Sequence, residues 1–105
     1  DLANANGDLG FVITPNNLND DYDWALFDIT DAECEDIFLN GSLQVSCNAA
    51  GGAPCHGSTG ANGQSSWDVQ GGGCNGTPPA TGNTPFNDFV QMQAGRTYVL
   101  MVKCN

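Results

Sequence analysis

The chain has 105 residues, with 12 Asp and Glu against 2 Lys and Arg, and a formal net charge of −10 at pH 7. That length builds one domain around one core. With Arg96 and Lys103 as its only cations it cannot neutralise a phosphate backbone, which argues against nucleic acid and anionic membrane surfaces as partners. Hydrophobic residues make up 40% of the sequence, yet no apolar run approaches the ~18 residues of a membrane span.

From the N-terminus, the first apolar stretch is LGFVIT (Leu9 to Thr14). It is short, β-branched and closed by Pro15, which predicts a strand of about six residues. An Asn- and Asp-rich loop follows over Asn16 to Asp21. YDWALFDI (Tyr22 to Ile29) carries the strongest strand pattern in the chain. Tyr22, Trp24 and Leu26 share one face, and Ala25, Phe27 and Ile29 share the other. Both sets are largely apolar, so the strand is expected inside a sheet covered on both sides or beside a sheet edge. Asp31 to Leu39 has room for one helical turn, and LQVSC (Leu43 to Cys47) returns as a short strand.

Between residues 48 and 83 the composition changes. Ten of the 14 glycines fall here, with Pro54, Pro78 and Pro79, and only Trp67 and Val69 supply apolar bulk. Glycine costs backbone entropy on ordering, so the segment reads as a long loop inserted in the domain. Strands resume with FNDFVQM (Phe86 to Met92), a turn at Ala94 and Gly95, and a last strand from Thr97 to Lys103. No segment keeps a 3.6-residue apolar period over three turns, and the expected class is all-β.

Five cysteines among polar, Gly-rich neighbours in a small acidic chain point to an oxidising, extracellular compartment with disulfides. Two bridges and one leftover allow 15 arrangements, five choices of the odd cysteine times three pairings of the rest. Spacing favours Cys34 with Cys47, which closes a short loop between neighbouring elements. It also favours Cys55 with Cys74, which clips the Gly-rich loop. Each clip would contribute ~3 kcal/mol on the chain-entropy model. Cys104 is then unpaired or bonded to another subunit. A zinc set of Cys47, Cys55, His56 and Cys74 lacks the C-x₂-C spacing of such sites.

Eight of the 12 acids lie between Asp20 and Asp36. Carboxylates that close repel one another, and calcium would relieve the repulsion with hard-oxygen ligands. Asp20, Asp21 and Asp23 are the candidate ligands, with Asn16, Asn17 and Asn19 alongside. A solvated acidic edge that deters sheet-to-sheet aggregation is the competing reading. Catalysis is not expected. The acids crowd one segment, the single His56 sits in Gly-rich sequence, and its neighbour Cys55 would point away from it in an extended chain. Trp67, isolated in the polar loop, is a candidate sugar-stacking platform or a plug over the open end of the core. Asn40-Gly41-Ser42 and Asn75-Gly76-Thr77 are formal glycosylation acceptors.

Taken in order, DDYDWALFD (Asp20 to Asp28), CEDI (Cys34 to Ile37), VSCN (Val45 to Asn48), the Thr59-Gly60 loop, TPFNDFV (Thr84 to Val90) and AGRTYVLMV (Ala94 to Val102) resemble a known family. It is a β-sandwich module of large secreted Bacteroidetes proteins, many of them exported by the type IX system. The module is similar to pre-peptidase C-terminal and other jelly-roll-like accessory domains. The resemblance runs from Leu9 to Val102 and implies a jelly-roll-like antiparallel β-sandwich, a Cys34–Cys47 pairing, and attachment or spacing rather than catalysis.

Family members carry further strands before and after this region. The 105 residues are therefore expected to be one sandwich domain lacking terminal strands, or a unit that borrows a strand from a neighbour. The expected function is an extracellular or cell-surface structural and adhesion module, a subunit of a fibre assembled by strand addition. The alternatives are a carbohydrate-binding accessory module of a secreted hydrolase and an inert spacer domain. Expected partners are other chains, copies of itself, or a glycan, and no cofactor beyond calcium.

Overall fold

The computed structural model of the chain describes residues 6–49, 57–63 and 85–104. Eight strands occupy them: β1 (Gly7–Leu9), β2 (Phe11–Ile13), β3 (Tyr22–Asp28), β4 (Gln44–Asn48), β5 (Thr59–Ala61), β6 (Phe86–Asn87), β7 (Val90–Met92) and β8 (Tyr98–Cys104). Two short 3₁₀ turns, η1 (Cys34–Phe38) and η2 (Gly41–Leu43), link β3 to β4, and no α-helix occurs among the described residues. The all-β class expected from the sequence is the class observed.

The longest strands form an antiparallel sheet in the order β4-β3-β8. The central strand, β3, is the one whose two faces are both apolar. Trp24 and Leu26 enter a cluster with Ala61, Val90 and Tyr98, against which Leu9, Phe11, Ile13, Val45 and Met92 pack. Ala25 and Phe27 enter a second cluster with Cys47, backed by Ile29, Ile37, Leu43, Val99 and Met101. Alternation along one strand thus supplies two cores, because successive side chains leave opposite faces of the sheet. The first cluster joins β3 to residues of the other two sheets, β1-β7 and β2-β5-β6. Within it the Phe11 and Trp24 rings meet edge to face, 4.8 Å apart at 75°.

Two expected strands are each broken once. Leu9 to Thr14 divides at Gly10, and Phe86 to Met92 divides at Asp88 and Phe89. One contact explains both. Asp88 Oδ1 accepts from the Phe89 N–H at 2.8 Å and turns the chain. The Phe89 ring then lies where a side chain on Gly10 would stand, 2.8 Å from the ring, and also against Gly63.

Part of the expected 48–83 loop is also strand. Thr59, Gly60 and Ala61 are buried in β5, antiparallel to β2 and parallel to β6. Gly60 is needed there because a Cβ would run into the Phe11 carbonyl. Glycine at this point permits close approach of two backbones rather than looseness.

The inward side of β4 is polar. A bulge between Leu26 and Phe27 leaves Val45 without a β3 partner and places Ser46 opposite Leu26 and Asn48 opposite Trp24. Ser46, Asn48, Thr59 and Asn87 are the largest fully buried side chains among the described residues. Asn87 Nδ2 donates to Ser46 Oγ (3.2 Å) and to the Cys47 carbonyl (2.8 Å), and its Oδ1 accepts from Asn48 Nδ2 (2.8 Å). Trp24 Nε1 donates to Thr59 Oγ1 (3.1 Å), which donates to the Pro85 carbonyl (2.5 Å). Buried polar groups are tolerated when satisfied in this way, and these bonds tie β3, β4, β5 and β6 together.

Candidate functional site

Among the described residues β8 is an edge strand, paired with β3 from Tyr98↔Asp28 to Cys104↔Tyr22. Alternation puts Tyr98, Leu100, Val102 and Cys104 on the face that carries Trp24 and Leu26. Tyr98 is buried there, and its hydroxyl accepts from the Gln93 N–H at 3.1 Å, which fixes the turn into the strand. Leu100 and Val102 remain 41% and 43% exposed, although Trp24 and Leu26 beside them are only 3% exposed. The core-facing side of the sheet is therefore covered at β3 and at Tyr98, and open at Leu100 and Val102.

A polar clamp holds the beginning of β8. Asp28 Oδ1 accepts from the Thr30 N–H (3.0 Å) and hydroxyl (2.6 Å), and Asp28 Oδ2 accepts from Arg96 Nε at 2.5 Å. Thr30 Oγ1 accepts in turn from the Thr97 N–H at 2.9 Å. Partial burial pushes the Asp28 carboxyl up. The Arg96 hydrogen bond, the two Thr30 hydrogen bonds and the Arg96 charge together outweigh it and hold the group below its ordinary range. Arg96 is raised above its usual value, chiefly by the hydrogen bond to Asp28. Its second contact, to the exposed Asp31 at 3.9 Å, is screened by solvent.

On the opposite face of the sheet an open hollow of about 150 Å³ is floored by Ala25, Cys47 and Met101, with Asp23, Gln44 and Lys103 at its rim. Asp23 and Lys103 are direct cross-strand neighbours. At the η1 end, Phe38 and Leu39 are 74% and 86% exposed, the most exposed large apolar side chains described. Asp31, Glu33 and Glu35, all exposed, and the half-buried Asp36 precede them in the chain.

The structure redistributes the expected site residues. Cys34 is a free, exposed thiol on η1, and Cys47 is buried in β4 and disulfide-bonded. The expected Cys34–Cys47 bridge is thus not formed: Cys34 faces solvent, whereas Cys47 faces the Ala25 side of the sheet. Cys104 is also a free, exposed thiol, so the partner of Cys47 lies outside the described residues. Cys55, Cys74, His56 and Trp67 lie outside them too.

Asp20 and Asp21 precede β3 and Asp23 lies within it. The Asp20 carbonyl accepts from the Gly57 N–H at 2.9 Å. No group of three or more His, Cys, Asp or Glu side chains that could hold a metal ion occurs among the described residues, so the three aspartates are not gathered into a calcium set. The Asn40 side chain caps η2, accepting from the Ser42 N–H (3.1 Å) and hydroxyl (2.6 Å). Sequence reasoning missed the Asp28–Thr30–Arg96 clamp and the Asn87 hub. Asp28-Ile29-Thr30 did carry a sign of the first, since an Asp two residues before a Thr is a common side-chain-to-backbone turn.

The chain matches no protein-family model, no curated protein and no solved structure.

Proposed function

We propose that this chain is an extracellular structural module that joins a larger surface assembly by taking a partner strand along β8. The observation that carries the reading is the open side of that strand. Seven residues of backbone have β3 on one side only among the described residues, and two core-facing side chains, Leu100 and Val102, lie uncovered. Strand edges are ordinarily shortened, kinked or charged to prevent such pairing. β8 is long, and its one charged side chain, Lys103, leaves the other face. A strand laid beside it would cover both side chains, which is the chemistry of strand addition.

Cysteine usage supports the compartment, and the resemblance of the Asp20 to Val102 motifs to secreted β-sandwich accessory modules supports the class. The test is sedimentation velocity and electron microscopy across a concentration series. Concentration-dependent oligomers or filaments are expected, abolished by Leu100→Lys and Val102→Lys. A monodisperse monomer at high concentration refutes the reading.

A further inference from the structure

The direction of the backbone groups along β8 is fixed at its start. The Thr97 N–H donates to Thr30 Oγ1, and the Thr97 carbonyl accepts from the Ile29 N–H, so both Thr97 groups turn towards β3. From there β8 pairs with β3 to Cys104 without a shift in register. Backbone groups of successive residues point to opposite sides of a strand. Those of Val99, Met101 and Lys103 therefore turn towards β3, and those of Leu100, Val102 and Cys104 turn outward. The side chains of these last three lie on the Trp24 face, and all three are exposed. Among the described residues no strand flanks them.

A second β8 has two ways to lie beside this one. Parallel pairing, about an axis along the strands, exchanges the faces of the incoming sheet. It sets Met101 and Lys103 of one copy beside Leu100 and Val102 of the other. Antiparallel pairing, about an axis normal to the sheet, keeps the faces. Centred on Val102, it matches outward groups at three positions: Leu100 to Cys104, Val102 to Val102 and Cys104 to Leu100. A thiol behaves as a small apolar group, so every side chain on that face meets an apolar one, and Tyr98 stays outside the pair. On the opposite face each Lys103 lies over Met101 of the other copy, with Asp23 of its own β3 on its other flank. No acid occurs in the sequence from Thr97 to Cys104.

Charge elsewhere favours the same arrangement. The acidic tip at η1 leads through η2 into β4, which lies on the far side of β3 from β8. Joining two sheets at β8 therefore leaves the two tips at opposite ends. The net charge of −10 on each copy opposes approach at long range. At 0.15 M salt, however, charges further apart than about 8 Å are largely screened, so the groups in contact decide. The Asp28–Thr30–Arg96 clamp already holds the start of β8, which lowers the entropy lost on pairing.

Resting on the reading of β8 as an open edge, we propose that its occupant is β8 of a second copy of this chain. The two strands pair antiparallel about Val102 and join two three-stranded sheets into one of six. The contact is isologous, so it closes as a dimer.

The experiment uses the full chain at 0.15 M salt. Sedimentation velocity across a concentration series should show monomer and dimer and nothing larger. L100S/V102S should associate at least about tenfold more weakly, as loss of buried apolar side chains from a contact requires. The register is read from cysteine variants in a C34S/C104S background. V102C should oxidise to a covalent dimer, because residues directly paired across antiparallel strands have Cα atoms about 5.5 Å apart, within reach of a disulfide. M101C should not, because in this register its two copies are offset by two residues and lie about 8 Å apart. Non-reducing gels separate the products, and mass spectrometry maps the link.

Assemblies larger than a dimer that L100S/V102S abolishes overturn this inference and leave the β8 reading standing. Linkage through M101C and not V102C does the same. A wild type that stays monomeric, or one whose association L100S/V102S does not weaken, removes both.

Discussion

Replacing Asn87 with Ala tests whether the polar half of the core carries the fold. Asn87 is fully buried, and among the described residues its amide makes hydrogen bonds to Ser46 Oγ, the Cys47 carbonyl and Asn48 Nδ2. Each is worth ~1 kcal/mol net, and a buried donor or acceptor left without its partner costs ~1–3 kcal/mol more. Allowing Ser46 and Asn48 to recover part of their bonding, the loss is about 3–5 kcal/mol, out of ~5–15 kcal/mol for a typical domain. Urea unfolding followed by far-UV circular dichroism measures it from the midpoint at constant slope. The exposed neighbour change Gln91→Ala should stay within about 0.5 kcal/mol. Asn87→Asp keeps the volume and one acceptor but removes both donations and buries a carboxyl, so it should be at least as damaging as the alanine. A loss below about 1 kcal/mol for Asn87→Ala, with the slope unchanged, refutes the view that this network ties β4 and β6 to the rest of the molecule.

Three further outcomes are expected. The Asp28 carboxyl is held low in the folded chain, so its contribution to stability is complete above the ordinary carboxylate range and disappears as pH falls through its folded pKa. Arg96→Gln removes the largest of the lowering contacts and leaves burial to push the group up. The stability gap between wild type and variant should therefore be widest at neutral pH and shrink on acidification, and a gap independent of pH refutes the clamp. Cys34 and Cys104 should alkylate in the native, unreduced chain while Cys47 does not. Peptide mapping that finds Cys34 blocked would restore the bridge expected from sequence spacing. Gly63 has φ +80° and lies against the Phe89 ring, so Gly63→Ala should cost about 1–3 kcal/mol, and an unchanged melting temperature would contradict the packing of that ring.

How much of this was legible in the sequence depends on which side chains carry the fold. β3 and β8 were legible because Trp24 and Leu26 against Ala25 and Phe27, and Tyr98 against Val99 and Met101, alternate between two apolar clusters. β5 was not, because Thr59, Gly60 and Ala61 pair by closeness of backbones, and small side chains carry no periodic pattern. The inward turn of Ser46, Asn48 and Asn87 was hidden for the opposite reason: polar residues in a strand read as its wet face until their partners are known. Cysteine spacing misled because nearness in the chain says nothing about direction. Cys34 and Cys47 are separated by two 3₁₀ turns that leave one thiol in solvent and the other under the sheet.

The placement of charge bears on the candidate site in the same way. Among the described residues, acids crowd the strand ends, the turns and the tip, and Asp28 is spent on Arg96. None stands on the Leu100 and Val102 side of β8 between Tyr98 and Cys104, where a single carboxylate would make strand pairing costly. A chain with 12 acids and 2 cations has ample charge to close an edge. On the proposed reading, an edge left apolar, with Lys103 near its end, would let the net charge oppose approach at a distance while offering a surface at contact. That distribution is what a chain needs if it is to remain dispersed until a matching strand arrives.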